Sequence, residues 1–577
     1  MENIYRNRYC GEITKEDVGK KVKVAGWINS IRNLGSLVFV TLRDESGIVQ
    51  IISENTELFK NITKESTASV TGVVNLRSGD INPNMKTGEI EIVLEDIEIL
   101  GKCLNTLPFE INRSKDSSEE TRLKYRYLDL RNKENHDKIL FRSKVIDYIR
   151  NIMKSLDFTE LSTPIITTSS PEGARDFVIP SRNYKGKFYA LPQAPQIYKQ
   201  LLMVSGFNRY FQIAPCFRDE DCRADRTLEF YQLDLEMSFA TEEDVYEVGE
   251  KVFYETFKNF SNKEVSERPF RRISYNEAML KYGSDKPDLR NPLIISDITD
   301  IFKDTEFNGF KNKTVRAIKV DKCDKSNSWY KKLEEFIKEK GAQGLAYIKV
   351  LENLELNSTI TKFLSDEEIS LLKNKLNLKA GNVIFIIAGD NKVAKYAGLL
   401  RNKLGEELDL IDRNRYEFCI INDFPMYEYN EEENKWDFGH NPFSMPKGGL
   451  KSLETMDTKD IIAIQYDFVC NGCEMASGAV RNHNIEIMKK AFEIAGYDEE
   501  VIKNKFKSLY TAFQYGVPPH AGMAPGIDRI IMLLTEEENL REVQLFPPNV
   551  SGVDLLMGGP IELEEKQLRE LHIKIRD

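Results

Sequence analysis

Long apolar runs are missing: no hydrophobic stretch in the 577 residues approaches the ~20 that span a bilayer, which excludes a helical membrane protein. The opening residues Met1-Glu2-Asn3-Ile4-Tyr5-Arg6 lack the apolar core of a secretory signal, so the sequence predicts no export. Cysteine is scarce. Eight residues without dense spacing argue against a disulfide scaffold and fit reduced thiols in a cytoplasm. Fixed-period repeats and low-complexity tracts are also absent, and 41% hydrophobic with 30% charged residues excludes disordered and collagen-like classes. A basic excess is lacking too: 81 Lys+Arg face 92 Asp+Glu, a net charge of −11, which taken whole leans away from a polyanionic partner. What remains is a soluble chain too long for one core, since single cores stop growing near ~250–300 residues.

The charge is unevenly spread. Residues 421–577 hold 16 basic and 27 acidic side chains, whereas 111–154 hold 12 and 7, leaving a positive stripe despite the global balance. Residues 1–102 alternate polar and apolar positions in five short runs (near 21–26, 36–43, 48–53, 67–76 and 88–100), the pattern of a small β-barrel. Polar 111–135 reads as a hinge. Ile139, Val145, Ile146, Ile149, Ile152 and Met153 recur at helical spacing, and an extended segment follows around Thr163-Pro164. Residues 188–240 read as strand-rich. Residues 286–420 mix strands (314–320, 345–350, 383–387) with helices (329–340, 366–376, 392–404), an independent α/β module. Strands return at 417–424 and 461–481, and a last apolar helix starts near Ile527.

Three constellations carry chemistry. In the run ending at Met237, Gln232, Asp234 and Glu236 share one strand face, opposite Tyr231, Leu233, Leu235 and Met237. Beside it runs a charged loop, Arg218-Asp219-Glu220-Asp221-Cys222-Arg223-Ala224-Asp225-Arg226, suited to an anion; a solvent-facing sheet would give the same alternation. Asp467 and Glu474, with Arg481 beyond, match the few carboxylates that Mg²⁺ needs beside substrate phosphates, though Arg481 could simply be their ion-pair partner. Gly526-Ile527-Asp528-Arg529 enters the last helix, where glycine permits close approach to a ligand and an Arg in the first turn suits a phosphate. Cys470-Asn471-Gly472-Cys473 lacks a second Cys/His pair nearby and reads as packing rather than zinc or redox chemistry.

Together these resemble the signature motifs of class II aminoacyl-tRNA synthetases: Phe158…Thr163-Pro164, Phe217-Arg218-Asp219-Glu220…Arg226…Phe230, and Gly526-Ile527-Asp528-Arg529. Pro171-Glu172-Gly173-Ala174-Arg175-Asp176, Tyr125-Arg126-Tyr127-Leu128-Asp129-Leu130-Arg131 and Gly283-Ser284-Asp285-Lys286-Pro287-Asp288-Leu289-Arg290 narrow the resemblance to the bacterial-type aspartyl-tRNA synthetases of subclass IIb, over essentially the whole chain. The resemblance implies a multidomain α+β chain: an OB-fold anticodon-binding domain (1–105), a hinge (106–135), a catalytic domain around an antiparallel sheet (136–285 and 421–557), an inserted GAD-like domain (286–420) and a C-terminal extension (558–577). It further implies aspartate activation with ATP and transfer to the 3′ end of tRNA(Asp), with tRNA(Asn) as an alternative acceptor, by a cytoplasmic homodimer using Mg²⁺ but neither zinc nor an organic cofactor.

Residue by residue, the resemblance puts Arg218 and Arg529 on the phosphates as catalytic groups. Glu220, Phe230, Glu474, Gly526, Ile527 and Asp528 join them around ATP, and Asp467 and Glu474 match the metal ligands. Glu172, Gln196, Lys199, Asp234, His440 and Arg481 match the aspartate site; Arg32, Phe39, Gln50 and Glu91 match the anticodon-reading surface, although Phe39 reads equally as core. Ala194, Thr227-Leu228 and Asn441 depart from the familiar pattern, and the expected consequence is altered affinity rather than lost activity. Leu34 looks like the version that discriminates tRNA(Asp), whereas the loop Ser78–Asn82 departs from that pattern. Two other readings stand beside this one: a class II synthetase specific for asparagine or lysine, and a non-catalytic RNA-binding paralogue.

Overall fold

The computed structural model describes residues 3–169 and 174–576. The chain forms two compact units, Met1–Glu110 and Ile111–Asp577. In the first, five strands, β1 (Lys21–Asn33), β2 (Val38–Asp44), β3 (Gly47–Ser53), β4 (Thr67–Leu76) and β5 (Ile90–Gly101), close a barrel in the order β1-β2-β3-β5-β4. Val38, Val40, Leu42, Val49, Ile51 and Ile92 fill its core, because alternate residues of each strand point inward.

The second unit is built on an eight-stranded sheet. Its central order is Phe418–Pro425, Ile462–Cys470, Cys473–Val480, His520–Pro525, Glu229–Ser238 and Arg209–Phe217, all antiparallel, with short parallel strands Arg271–Ser274 and Thr159–Glu160 at the edges. Leu233, Leu235 and Met237 point to one face, where Val145, Ile149, Val252, Phe253 and Ile531 from three helices cover them. The opposite face carries Asp234 and Glu236. That polarity of a single strand separates the core from the pocket.

Residues 286–420 contain their own antiparallel five-stranded sheet, with Ile295–Asp297, Thr314–Val320, Val383–Gly389, Ala346–Val350 and Leu356–Asn357 in that spatial order. Helices Asn327–Glu339 and Val393–Glu407 share one apolar core against it through Leu333, Ile337, Leu400 and Leu404; Asp366–Lys375 belongs to the other through Leu372.

Residues 188–240 are strand-rich as expected, with Phe188–Ala190, Arg209–Phe217 and Glu229–Ser238, and helix Gln196–Val204 between them delivers Lys199 to the pocket face. Residues 111–135 are not a free hinge but helical turns of the second unit, Ile111–Asp116, Glu119–Lys124 and Arg126–Asp129. Arg126 is buried against Asp129 and donates to the carbonyls of Gln544 (2.8 Å) and Leu545 (3.1 Å), while Arg122 pairs with Glu542 and Arg541 with Glu119. Polar composition misled because distant partners, not water, satisfy these side chains.

Candidate active site

The floor of the pocket is a closed set of charges. Asp234 and Glu236 are both fully buried on strand Glu229–Ser238. Lys199 Nζ lies 2.7 Å from Asp234 Oδ1 and 3.4 Å from Glu236 Oε2. Arg481, just beyond strand Cys473–Val480, donates from Nε (2.8 Å) and Nη2 (3.1 Å) to the two oxygens of Glu236. Glu236 can lie flat on the sheet because its neighbour across the ladder is Gly522, where a Cβ would sit 2.1 Å from Glu236 Oε2. Burial pushes Asp234 upward against the pull of Lys199. Burial works the same way on Glu236, but Arg481 and Lys199 outweigh it and hold that carboxyl below its usual range. Arg481 therefore pairs with Glu236, and not with Asp467 or Glu474, the alternative that its spacing left open.

The other end is more open. Arg218 leaves strand Arg209–Phe217, its guanidinium 4.9 Å from the Phe230 ring centroid, and its buried Nε has no hydrogen-bond partner. The backbone N–H of Arg218 donates to Leu228 O (2.9 Å), closing the charged loop, within which Arg226 pairs with Glu220 at 3.1 Å. Arg529 rises from the first turn of helix Ile527–Leu534; its Nη1 donates to Glu474 O (2.8 Å) and lies 3.6 Å from Glu474 Oε1. Asp528 anchors this turn by accepting from Tyr231 N (2.9 Å) and pairing with Arg142. Burial and the charge of Glu474 push Asp467 well up, whereas Arg529 and Lys286 overcome burial and hold Glu474 down.

A cavity of about 330 Å³ joins the two ends, lined by Gln196, Lys199, Arg218, Glu220, Phe230 and Asp234 together with Glu474, Arg481, Gly526, Asp528 and Arg529. Ile527 is instead fully buried in the core, and Asp467 sits behind Glu474. His440 does not reach this cavity: it is exposed, packs edge-on against Phe424 (5.1 Å) and lines a neighbouring space of about 400 Å³ with Gln196 and Asn441. Glu172 lies outside the described residues. Ala194, Thr227 and Asn441 all line the main cavity, and Thr227 Oγ1 is buried without a partner.

Among the described residues no group of three or more His, Cys, Asp or Glu stands ready to hold an ion. Two carboxylates, one buried and pushed up by the other's charge, fit a Mg²⁺ that completes its shell with phosphates and water rather than a dedicated protein cage. Cys470 and Cys473 face each other across the Asn471-Gly472 turn, and burial pushes both thiols up. Strand parity puts Glu236 on the polar face without giving it a role, and Lys286, 3.2 Å from Glu474 Oε2, enters the sequence reading only within the Gly283–Arg290 string; its place beside Glu474 is not legible from spacing.

On the barrel, β1–β2–β3 pairing (Arg32 opposite Phe39, Phe39 opposite Ile52, Thr41 opposite Gln50) puts Arg32, Phe39 and Gln50 on the outer face. Phe39 is half-buried there and is not part of the core. Gln50 Nε2 donates to Glu91 Oε2 (2.9 Å), Arg77 donates to Gln50 Oε1 (2.9 Å) and the Ser78 N–H to Glu91 Oε1 (3.1 Å).

Residues 118–550 match the family of class II tRNA synthetases (D, K and N), and residues 22–100 match the OB-fold nucleic acid binding domain. The aspartate–tRNA(Asp/Asn) ligase of Rickettsia canadensis (strain McKiel) is 51% identical over 99% of this chain and 98% of its own. The chain belongs to the class II aspartyl-tRNA synthetases. Within this family, the aspartate–tRNA ligase of Streptomyces coelicolor is 50% identical over 99% of both chains. Two solved structures share the synthetase fold: asparaginyl-tRNA synthetase from Pyrococcus horikoshii complexed with asparaginyl-adenylate (TM-score 0.59, 19% identity, 94% of this chain and 97% of the other), and a putative aspartyl-tRNA synthetase from Leishmania major Friedlin (0.60, 21%, 95% and 94%). No helix among the described residues is long and apolar enough to cross a membrane.

Proposed function

We propose that this ATP-dependent aspartate–tRNA ligase selects its amino acid with the two buried cations of the pocket floor. The observation that carries this reading is how those cations are spent. Glu236 takes Nε and Nη2 of Arg481, leaving Nη1 for a ligand; Asp234 takes one of the three Lys199 donors and Glu236 Oε2 lies 3.4 Å from the ammonium, so at least one donor remains. One N–H from each meets the two oxygens of an aspartate side chain. Asparagine would point amide N–H groups at N–H groups, leaving buried donors unpaired at ~1–3 kcal/mol each. Gln196, whose buried Nε2 has no partner, supports the site from helix Gln196–Val204.

In the first step an oxygen of the substrate α-carboxylate bonds to the α-phosphorus of ATP while the bond to pyrophosphate breaks. Two anions meet, so positioning and charge neutralisation carry the step. Arg218 bridges carboxylate and α-phosphate, Phe230 and Arg529 sandwich adenine, Arg529 extends to the terminal phosphate, and Glu220 takes the adenine side. Asp467 and Glu474 would hold the Mg²⁺ that arrives with ATP, which supplies charge neutralisation between the phosphates. In the second step the terminal ribose hydroxyl of tRNA attacks the adenylate carbonyl and AMP leaves. Phe39 stacks an anticodon base while Arg32, Gln50 and Glu91 read base edges. tRNA(Asp) is the acceptor, and exposed Leu34 on the β1–β2 loop favours it over tRNA(Asn). Residues 286–420 are the GAD-like insertion, and two copies of the chain associate through the helix Lys133–Ser155 and the exposed Ile165 and Ile166 beyond it.

Arg481→Leu should abolish aspartate-dependent pyrophosphate exchange while calorimetry still records ATP binding; exchange at the wild-type rate would overturn the assignment. Charging purified tRNA(Asp) and tRNA(Asn) side by side separates the single from the dual acceptor, the pair that the Rickettsia relatives carry in their name.

A further inference from the structure

Lys286 pairs with one of the two carboxylates proposed to hold the metal. Its ammonium lies 3.2 Å from Glu474 Oε2 and 3.1 Å from Asp285 Oδ2, and Asp467 sits behind Glu474 within electrostatic reach. The side chain arrives from outside the catalytic sheet. It belongs to the segment 284–293, which leaves helix Tyr275–Tyr282 through the left-handed Gly283 and leads into Ile295–Asp297 of the 286–420 sheet. Two contacts fix that segment. Fully buried Arg401, on helix Val393–Glu407, donates to the carbonyls of Asp288 (2.9 Å), Asn291 (2.6 Å) and Leu293 (2.6 Å). The hairpin that leads into Glu474 touches the same segment at Gly472, where a Cβ would lie 3.4 Å from Asp288 Cβ. The 286–420 module thus sets where the ammonium sits.

We infer that Lys286 is a positioning residue for the metal–nucleotide complex: a tethered cation that neutralises Asp467 and Glu474 before ATP arrives and gives way to the divalent ion that arrives with it. The inference rests on the reading of Asp467 and Glu474 as the metal's carboxylates. A fixed positive charge beside Glu474 repels a free divalent cation, so metal alone binds poorly. A nucleotide's phosphates offset that repulsion, take up the released ammonium, and bring metal and nucleotide in together. This gives the inserted module a task at the reaction centre: through Arg401 and Lys286 it couples metal entry to nucleotide entry. Both Lys286 and Glu474 are part-exposed, so exchange needs no opening of the core.

Binding of Mn²⁺, followed by electron paramagnetic resonance of the free ion, tests this on the full-length protein with and without a non-hydrolysable ATP analogue. Lys286→Met should bind Mn²⁺ at least tenfold more tightly than wild type without nucleotide, and the tightening that the analogue produces in wild type should shrink correspondingly. Lys286→Arg, which keeps the charge, should stay close to wild type, and adding Glu474→Gln to Lys286→Met should remove the gained affinity. Lys286→Gln replaces Lys286→Met should the latter fail to fold. Unchanged or weakened Mn²⁺ affinity in the charge-removing variant overturns the role of Lys286. If Glu474→Gln alone leaves Mn²⁺ binding with the analogue unaltered, the carboxylate reading itself fails, a result separable from the first.

Discussion

On the proposed reading, the pocket floor and the outer face of the barrel are both recognition surfaces, built on opposite principles. The floor is dry: Asp234, Glu236, Lys199 and Arg481 are each at most 2% exposed, and every charge is held by another before a ligand arrives. The barrel face is half wet, with exposed Arg32, half-buried Phe39 and a hydrogen-bonded Gln50–Glu91 pair supported by Arg77 and Ser78. In a low-dielectric site one unmade bond is expensive, so few residues decide between near-identical side chains. On a stacking face each contact is modest and discrimination accumulates over several bases. The chemistry of the ligands matches: aspartate and asparagine differ in one group, whereas an anticodon offers several bases.

Substitutions should rank accordingly. Glu236→Gln should have the largest effect, since stripping a buried cation of its carboxylate costs about 3–5 kcal/mol. The denaturant midpoint of the protein should fall, and aspartate activation should drop by about 100-fold or more as the Arg481 fork loses its alignment. Lys199→Met should come next, raising the KM for aspartate by roughly 10- to 150-fold, the ~1.5–3 kcal/mol of a charge-assisted bond, with the KM for ATP little changed. On the barrel, Phe39→Ala should weaken tRNA charging by the ~1–3 kcal/mol of one stacked base and leave pyrophosphate exchange at the wild-type rate. A loss of exchange would erase the distinction between the two surfaces.

The smallest effect is expected from pH. Burial pushes the Asp17 carboxyl up, but the Thr14 N–H, Lys20 and Arg8 outweigh it and hold it at about 2. A depressed carboxyl stabilises the fold above its unfolded pKa of about 3.9, and that stability drains away as pH falls from about 4 toward 2. Asp17→Asn should flatten the acid-unfolding slope of the barrel within this window and change little at neutral pH.

Much of the molecule is legible in the sequence because strands report their period locally. The five runs of residues 1–102 are the barrel strands, and the parity of Asp234 along its strand is enough to mark the pocket face. Legibility ends where partners are far apart in the chain. Arg122 and Glu542 are 420 residues apart, so the polar segment they hold reads as a hinge. Lys286 is brought to Glu474 by an inserted module whose packing no local pattern encodes. Helix Gln196–Val204 escapes because Gln193-Ala194-Pro195 precedes it and short neighbouring strands set the local trend.

The central claim is that one free N–H from Arg481 and one from Lys199 together choose the amino acid. Pyrophosphate exchange with wild-type protein, run with aspartate and with asparagine, tests it most directly. The kcat/KM for asparagine should lie about 10⁴-fold below that for aspartate, the rejection expected of a site built around specific hydrogen bonds; asparagine within about tenfold of aspartate would contradict the claim.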